Sequence, residues 1–392
     1  MTPVRGVVEG FYGRPYAPRQ RRALLGLLSS LDGSAYLYAP KNDPWHRRLW
    51  REPYPKGAWD SLADLFEAGV SRGVDVIFGV SPVAAGPAEA ASVRKKLSRA
   101  VDAGARGVAV LFDDQIDLAD EALAGRHLRL ARKAAEGLGV PVTVCPAVYC
   151  TELEEQMRGS GYIRLFSREC PDDWNLMWTG RSVVSRRLDG PDLSVPALKR
   201  PPAVWDNLLA DDYCLRRIYL APLRGRVPYG CDYFLNPSSI FPVALHAVRE
   251  LALACGQEVG WPRELGCARD GWHYLRLFFH TPWELTEKAS GMVRELGMAL
   301  RGRASQPVWL VGALDGLEHL VEELPDLDGG FDLLPYAVDL RRMLSIASRA
   351  IPAGEGSPAR LRQMLLERLP FEHPIAAALK EIAEETTERH EG

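Results

Sequence analysis

Short apolar runs and longer amphipathic stretches alternate along the first two-thirds of the chain. "VRGVVEG" (4–10) precedes "RQRRALLGLLSSL" (19–31), and "AYLYAP" (35–40) precedes "DSLADLFEAGVSRG" (60–73). "VDVIFGVSP" (74–82) precedes "SVRKKLSRAVDAG" (92–104), and "GVAVLFDD" (107–114) precedes "EALAGRHLRLARKAAEGLG" (121–139). "PVTVCPAVY" (141–149) and "NLMWTG" (175–180) are the fifth and sixth apolar runs. "PAVWDN" (202–207) is followed by "DYCLRRIYLA" (212–221), and "DYFLNP" (232–237) by "PVALHAVRELALACG" (242–256). Strands buried on both faces read as continuous apolar runs, and helices between them imply parallel pairing. Eight such units within about 250 residues predict an α/β fold, a (β/α)8 TIM barrel over residues 1–258. A doubly wound open sheet is the competitor, but no G-x-G-x-x-G follows the first strand.

From about residue 260 the period becomes helical throughout: 284–302, 307–325, 335–350, 358–370 and 374–390, punctuated by proline and glycine. This predicts an all-helical C-terminal domain over 259–392. Its helices carry apolar residues beyond one face, for instance Val308, Trp309, Leu310 and Val311. The domain is therefore expected to pack on the barrel or on a second copy of itself, forming a homodimer.

Composition narrows the class. The chain of 392 residues is 47% hydrophobic and 25% charged, with a formal charge of -3. Such a balance is that of a globular protein, and it argues against nucleic acid as a partner, which needs a basic face. No stretch is long and apolar enough to suggest a membrane span, and the N-terminus has no signal-peptide run. The seven cysteines are scattered, without a C-x-x-C pair. They read as free thiols of a cytoplasmic protein rather than a disulfide frame or a zinc site.

Candidate chemistry comes from the strand ends, because a barrel of this kind keeps its active site at the C-terminal ends of its strands. Strand one ends in Glu9-Gly10-Phe11-Tyr12-Gly13, strand two in Pro40-Lys41-Asn42-Asp43, and strand four in Asp113-Asp114. Strands five to eight end in Tyr149, Trp178-Thr179, Trp205-Asp206-Asn207 and Asn236. Each has a bland alternative: a surface lysine, a core tryptophan, turn-forming asparagines, or an Asp pair that caps the next helix. Their convergence on one rim favours a site. Carboxylates, amides, one lysine and aromatic faces suit a sugar, and no His/Cys/carboxylate set has a metal-ligand spacing. The Asp pair is the sharpest feature. Two like charges at the end of an apolar run cost free energy, and their Cα atoms lie only about 3.8 Å apart. Retaining glycosidases with a carboxylate nucleophile place their two carboxyls about 5 Å apart across the bond. An adjacent pair fits another arrangement better, in which one carboxyl protonates the leaving oxygen. The other grips a substrate N–H, and the substrate's own amide oxygen attacks the anomeric carbon. Close like charges would split the two protonation states.

The chain resembles the family 84 glycoside hydrolases, the O-GlcNAcase and bacterial β-N-acetylglucosaminidase family. The matching stretches are "GVVEGFYGRPY" (6–16), "YLYAPKNDPWHR" (36–47), "LFDD" (111–114), "CPAVYC" (145–150), "WTGRSVVS" (178–185), "VWDNLLADDY" (204–213) and "LNP" (235–237). The resemblance implies a retaining β-N-acetylglucosaminidase that works through an oxazoline, without metal or organic cofactor, on a β-GlcNAc-bearing glycoside or glycoprotein. By resemblance, Asp113 polarises the acetamido N–H and Asp114 is the general acid/base. Tyr149 and Asn207 position the acetamido group and Trp205 walls its pocket. Gly10 and Lys41 bind ring hydroxyls, and Asp212 and Asn236 hold the O4 and O6 side. Three departures flank the site: Asn42 in place of a carboxylate, Gln115 after the Asp pair, and no acidic residue before Tyr149. They bear on the aglycone more than on the chemistry. Three rivals remain: a catalytically silent sugar-binding barrel, a hydrolase of small-molecule or cell-wall GlcNAc, and a magnesium-dependent barrel using Glu9 as an extra carboxylate.

Overall fold

The computed structural model describes residues 3–115, 119–213 and 217–351. Eight parallel strands close in sequence order into a barrel. They are β1 (Arg5–Glu9), β2 (Ser34–Tyr38), β3 (Asp75–Val80), β4 (Gly107–Leu111), β5 (Val142–Cys145), β6 (Asn175–Trp178), β7 (Ala203–Asp206) and β8 (Tyr233–Leu235). Every residue of β2, β4 and β5 is buried, as their unbroken apolar runs require. The ring is closed by β8, whose Tyr233, Phe234 and Leu235 stand opposite Arg5, Gly6 and Val7 of β1. One buried cluster draws on all eight strands. It combines small residues (Ala35, Ala109, Ala203) with large ones (Leu37, Leu111, Met177, Phe234), and Tyr149 and Trp205 join it from the strand ends.

Helices α1 (Pro18–Leu28), α2 (Lys56–Val70), α3 (Ala90–Asp102) and α4 (Glu121–Ala135) follow the first four strands. Helices α5 (Thr151–Gln156) and α6 (Ser160–Glu169) follow β5, and α6 buries Tyr162, Ile163, Phe166 and Ser167 along one face. After β6 the chain makes only a short 3-10 turn at Gly190–Leu193. The amphipathic stretch at 212–221 is not a seventh barrel helix: its described residues are turn and irregular chain. Leu220 N instead donates to Phe279 O, so a partner from the later helices replaces the intrahelical one. Helix α7 (Phe241–Ala254) follows β8.

The chain forms two compact units. One comprises residues 1–212, 222–239 and 247–259, and the other 213–221, 240–246 and 260–392. The second contains α8 (Arg269–Phe278), α9 (Glu287–Leu300), α10 (Val308–Glu323) and α11 (Gly330–Ala350). Helices α8 and α10 cross where two glycines meet: a Cβ on Gly271 would stand 2.4 Å from Gly316 O, so any larger side chain would force them apart. On α10, Leu310 is buried while Val308 and Val311 are exposed. The helical stretches expected at 358–370 and 374–390 lie outside the described residues. Among the described residues no helix is long and apolar enough to cross a membrane.

Candidate active site

The ladder of β4 runs one residue past the strand, with Phe112 N donating to Cys145 O at 2.9 Å. There regular pairing ends, and Asp114 takes a left-handed backbone conformation with φ +55°. A non-glycine residue is uncommon in that region, and short polar Asp is among those that tolerate it best. In a continuing strand two successive side chains would face opposite ways. The turn instead lets both carboxyls converge on Lys41, whose Nζ donates to Asp113 Oδ2 and lies 4.0 Å from Asp114 Oδ2. The helix-cap alternative for this pair does not hold: Asp120 caps α4, accepting from Leu123 N at 2.7 Å.

The two carboxyls have different surroundings. Asp113 is buried, and its Oδ1 is enclosed without a hydrogen-bond partner among the described residues. Asp114 is more open, its side chain 33% exposed, and both its oxygens accept from phenols. Tyr149 OH donates to Oδ1 at 2.7 Å and Tyr12 OH to Oδ2 at 3.1 Å. Burial first, and then the charge of Asp114, push both phenols above the ordinary tyrosine range, so both remain donors.

A second set of contacts builds the adjoining wall. The Lys41 ammonium lies 5.5 Å from the centre of the Trp205 ring. Trp205 Nε1 donates to Asn207 Oδ1 at 2.8 Å, and Asn236 Nδ2 donates to the same oxygen at 2.9 Å. Asn207 Nδ2 in turn donates to Val183 O at 2.8 Å, fixing the orientation of the amide. Gly10 N donates to Asn236 Oδ1 at 3.2 Å. Gly10 must lack a side chain, since a Cβ there would stand 2.3 Å from the Trp205 ring. Asp212 enters through Tyr12, whose backbone N donates to its Oδ2 at 2.8 Å, and burial raises the Asp212 pKa. Asp113, Asp114, Lys41, Tyr149, Trp205, Asn207, Asn236, Gly10 and Asp212 therefore belong to one connected network. Tyr12 stands among the strand-end residues read from sequence, and the structure adds its grip on Asp114.

Other strand-end carboxylates are spent on architecture. Glu9 takes two bonds from Arg21 of α1, at 2.8 and 2.9 Å, plus one from Tyr36 OH. Asp43 accepts from Tyr38 OH and Tyr54 OH, and Asp206 is held by Arg226 and Tyr233 OH. The extra carboxylate that the magnesium reading relied on is thus committed to a helix. Among the described residues no group of three or more His, Cys, Asp or Glu is placed to hold a metal ion.

Sequence alone did not single out the support beneath the Asp pair. The His127 ring stacks on Phe112 at 4.0 Å, and its Nδ1 meets Tyr162 OH at 2.9 Å. The same hydroxyl accepts from Ala147 N at 3.0 Å, tying the ends of β4 and β5 to one helix pair. Burial holds His127 neutral, its pKa lowered to about 3. The signal was present in the aromatic and histidine positions, but which of them met could not be read from spacing.

A closed parallel barrel with carboxylates, amides and aromatic side chains gathered at the C-terminal ends of its strands has the active-site placement of the (β/α)8 enzymes. A family profile described as beta-N-acetylglucosaminidase matches residues 5–252, and the chain belongs to that family. It is 32% identical over 267 residues to the protein O-GlcNAcases of Rattus norvegicus and Mus musculus. That alignment takes in 63% of this chain and 29% of each relative, so the chain spans under a third of their length. A mutant O-GlcNAc hydrolase of Thermobaculum terrenum has the same fold, with a TM-score of 0.78 at 18% identity over 98% of this chain and 94% of that one.

Proposed function

We propose that the protein is a retaining β-N-acetylglucosaminidase of the O-GlcNAcase type. It hydrolyses terminal β-linked GlcNAc from a glycoside or glycoprotein by substrate-assisted catalysis, without a cofactor. The observation that carries this is the division of labour in the Asp pair: a buried Asp113 with one unpartnered oxygen beside an accessible Asp114 held by two phenols.

The chemistry follows from those positions. Asp114, protonated, delivers its proton to the glycosidic oxygen as the C1–O bond breaks. The substrate's acetamido oxygen forms the new bond to C1, giving an oxazoline. Asp113 Oδ1 accepts the acetamido N–H and stabilises the positive charge growing there, while Lys41 keeps its other oxygen satisfied. In the second half Asp114, now a carboxylate, takes a proton from the water that attacks C1. The ring opens and the acetamide is restored. Two inversions leave the product β. Tyr149 and Asn207 border the acetamido group, Trp205 forms the pocket wall, and Gly10, Lys41, Asp212 and Asn236 meet the sugar's hydroxyls.

The test compares an aryl β-N-acetylglucosaminide with the matching aryl β-glucoside. The first is expected to turn over with initial release of β-GlcNAc, and the second negligibly. Equal turnover, an initial α product or a trapped glycosyl-aspartate would sink the mechanism. Binding of GlcNAc without any turnover would favour the sugar-binding module.

A further inference from the structure

Arg47, from the loop after β2, touches the proposed acid at a place the chemistry above does not use. Its Nη2 donates to the backbone carbonyl of Asp114 at 2.7 Å. Its guanidinium also lies 5.8 Å from the centre of the Tyr12 ring, whose hydroxyl donates to Asp114 Oδ2. One cation thus braces Asp114 twice, through the main chain and through one of the phenols that grip the carboxyl. The brace sits where the backbone is strained, at the left-handed turn with φ +55° that aims Asp114. Charge pairing among the described residues does not explain why Arg47 is there. No carboxylate lies within ion-pair distance among the described residues, and Nη1 is enclosed without a hydrogen-bond partner. Burying a donor unpaired is unfavourable, so the placement is held by the carbonyl and the ring.

We propose that Arg47 is a positioning residue for proton transfer, holding the Asp114 turn and Tyr12 so that the Asp114 carboxyl points at the glycosidic oxygen. This rests on Asp114 being the proton donor. Arginine suits the task because its planar fork can bond a carbonyl with one nitrogen while lying against an aromatic face; a lysine ammonium offers a point charge without that geometry.

The experiment measures kcat/KM of the full chain and of Arg47→Lys and Arg47→Met across β-GlcNAc glycosides of graded leaving-group pKa. With an alkyl aglycone, Arg47→Met should lose roughly tenfold to a hundredfold, part of the roughly 10²–10⁴-fold that general acid–base catalysis supplies. Arg47→Lys should fall between Arg47→Met and wild type. With a dinitrophenyl aglycone, which departs without a proton, both variants should stay within about threefold of wild type, since transfer to the leaving group no longer contributes. A uniform loss across aglycones, or no loss, would overturn the proposal, because a general loosening of the fold lowers all substrates alike. Arg47→Lys carries the test by itself where Arg47→Met fails to fold. Asp114→Asn in the same series separates the two readings. A steep leaving-group dependence there with a flat one for Arg47 variants removes only the positioning role. A wild type that turns over no GlcNAc glycoside withdraws both.

Discussion

Lys41 and Asp113 form an ion pair nearly sealed from solvent, their side chains 2% and 6% exposed. The pair explains how two adjacent carboxyls are tolerated at the end of a buried strand: one is paired with a cation, and the other is hydrogen-bonded by two phenols and partly exposed. Removing one partner of a buried pair leaves an uncompensated charge, at a cost of about 3–5 kcal/mol. Lys41→Met should therefore lower the unfolding free energy by that order, with a lower chemical unfolding midpoint, and also suppress turnover for every leaving group. An unchanged midpoint would show that the pair does not neutralise Asp113 in solution.

The two aspartates should separate by leaving group. Asp114→Asn should lose about 10²–10⁴-fold or more in kcat/KM with an alkyl or Ser-linked aglycone, and little with dinitrophenyl, although kcat can fall because oxazoline breakdown still needs a base. Asp113→Asn should lose similarly across the series, since orienting the acetamido group is needed whatever departs. The opposite pattern would reverse the roles, and near-wild-type activity in both would make the pair structural.

Gly10→Ala tests the tryptophan wall. The added Cβ would overlap the Trp205 ring, so either the ring or β1 must shift. Overpacking typically costs about 1–3 kcal/mol. The variant should show a lowered Tm and a raised KM for GlcNAc glycosides. Wild-type values of both would mean the ring is freer than its contacts with Asn207 imply.

Arg21→Met should act on stability alone. It removes the cation paired with Glu9, which is fully buried, and should cost about 3–5 kcal/mol in denaturant unfolding. The kcat of the folded fraction should match wild type, because Glu9 faces α1 rather than the Asp pair. A selective loss of kcat would place Glu9 in the chemistry after all.

Acid sensitivity should trace partly to His127. Its folded pKa is lowered by burial to about 3 from an ordinary value of 6.5, so the folded state favours the neutral ring. The contribution is present above pH 6.5 and is lost as pH falls toward 3. Below pH 6.5 the unfolded chain binds the extra proton, and stability should fall by up to about 1.4 kcal/mol per pH unit. Guanidinium unfolding at pH 7 and pH 4.5 should show a larger drop for wild type than for His127→Gln. Equal drops would assign the acid lability to other groups.

The eight apolar runs favoured a barrel over a doubly wound sheet, because strands covered on both faces are largely apolar and the interleaved helices carry a 3.6-residue stripe. They also placed the Asp pair, Lys41, Tyr149, Trp205 and the two asparagines at strand ends, where the fold brings chemistry together. Periodicity failed at 212–221, whose alternation of apolar and charged residues could be helix or loop until Leu220 found Phe279. Thr151–Gln156 buries no residue and so has no apolar stripe to read, whereas Ser160–Glu169 carries one in Tyr162, Ile163 and Phe166. Partnership was decided only in three dimensions. Glu9 ends one strand and Asp113 follows another, yet one is claimed by Arg21 and the other by Lys41. Arg47 lies 67 residues from Asp114 along the chain. Such pairings depend on backbone turns such as the left-handed one at Asp114 and on which loops share a rim. A sequence records the donor and acceptor types; closure of the barrel sets the distances between them.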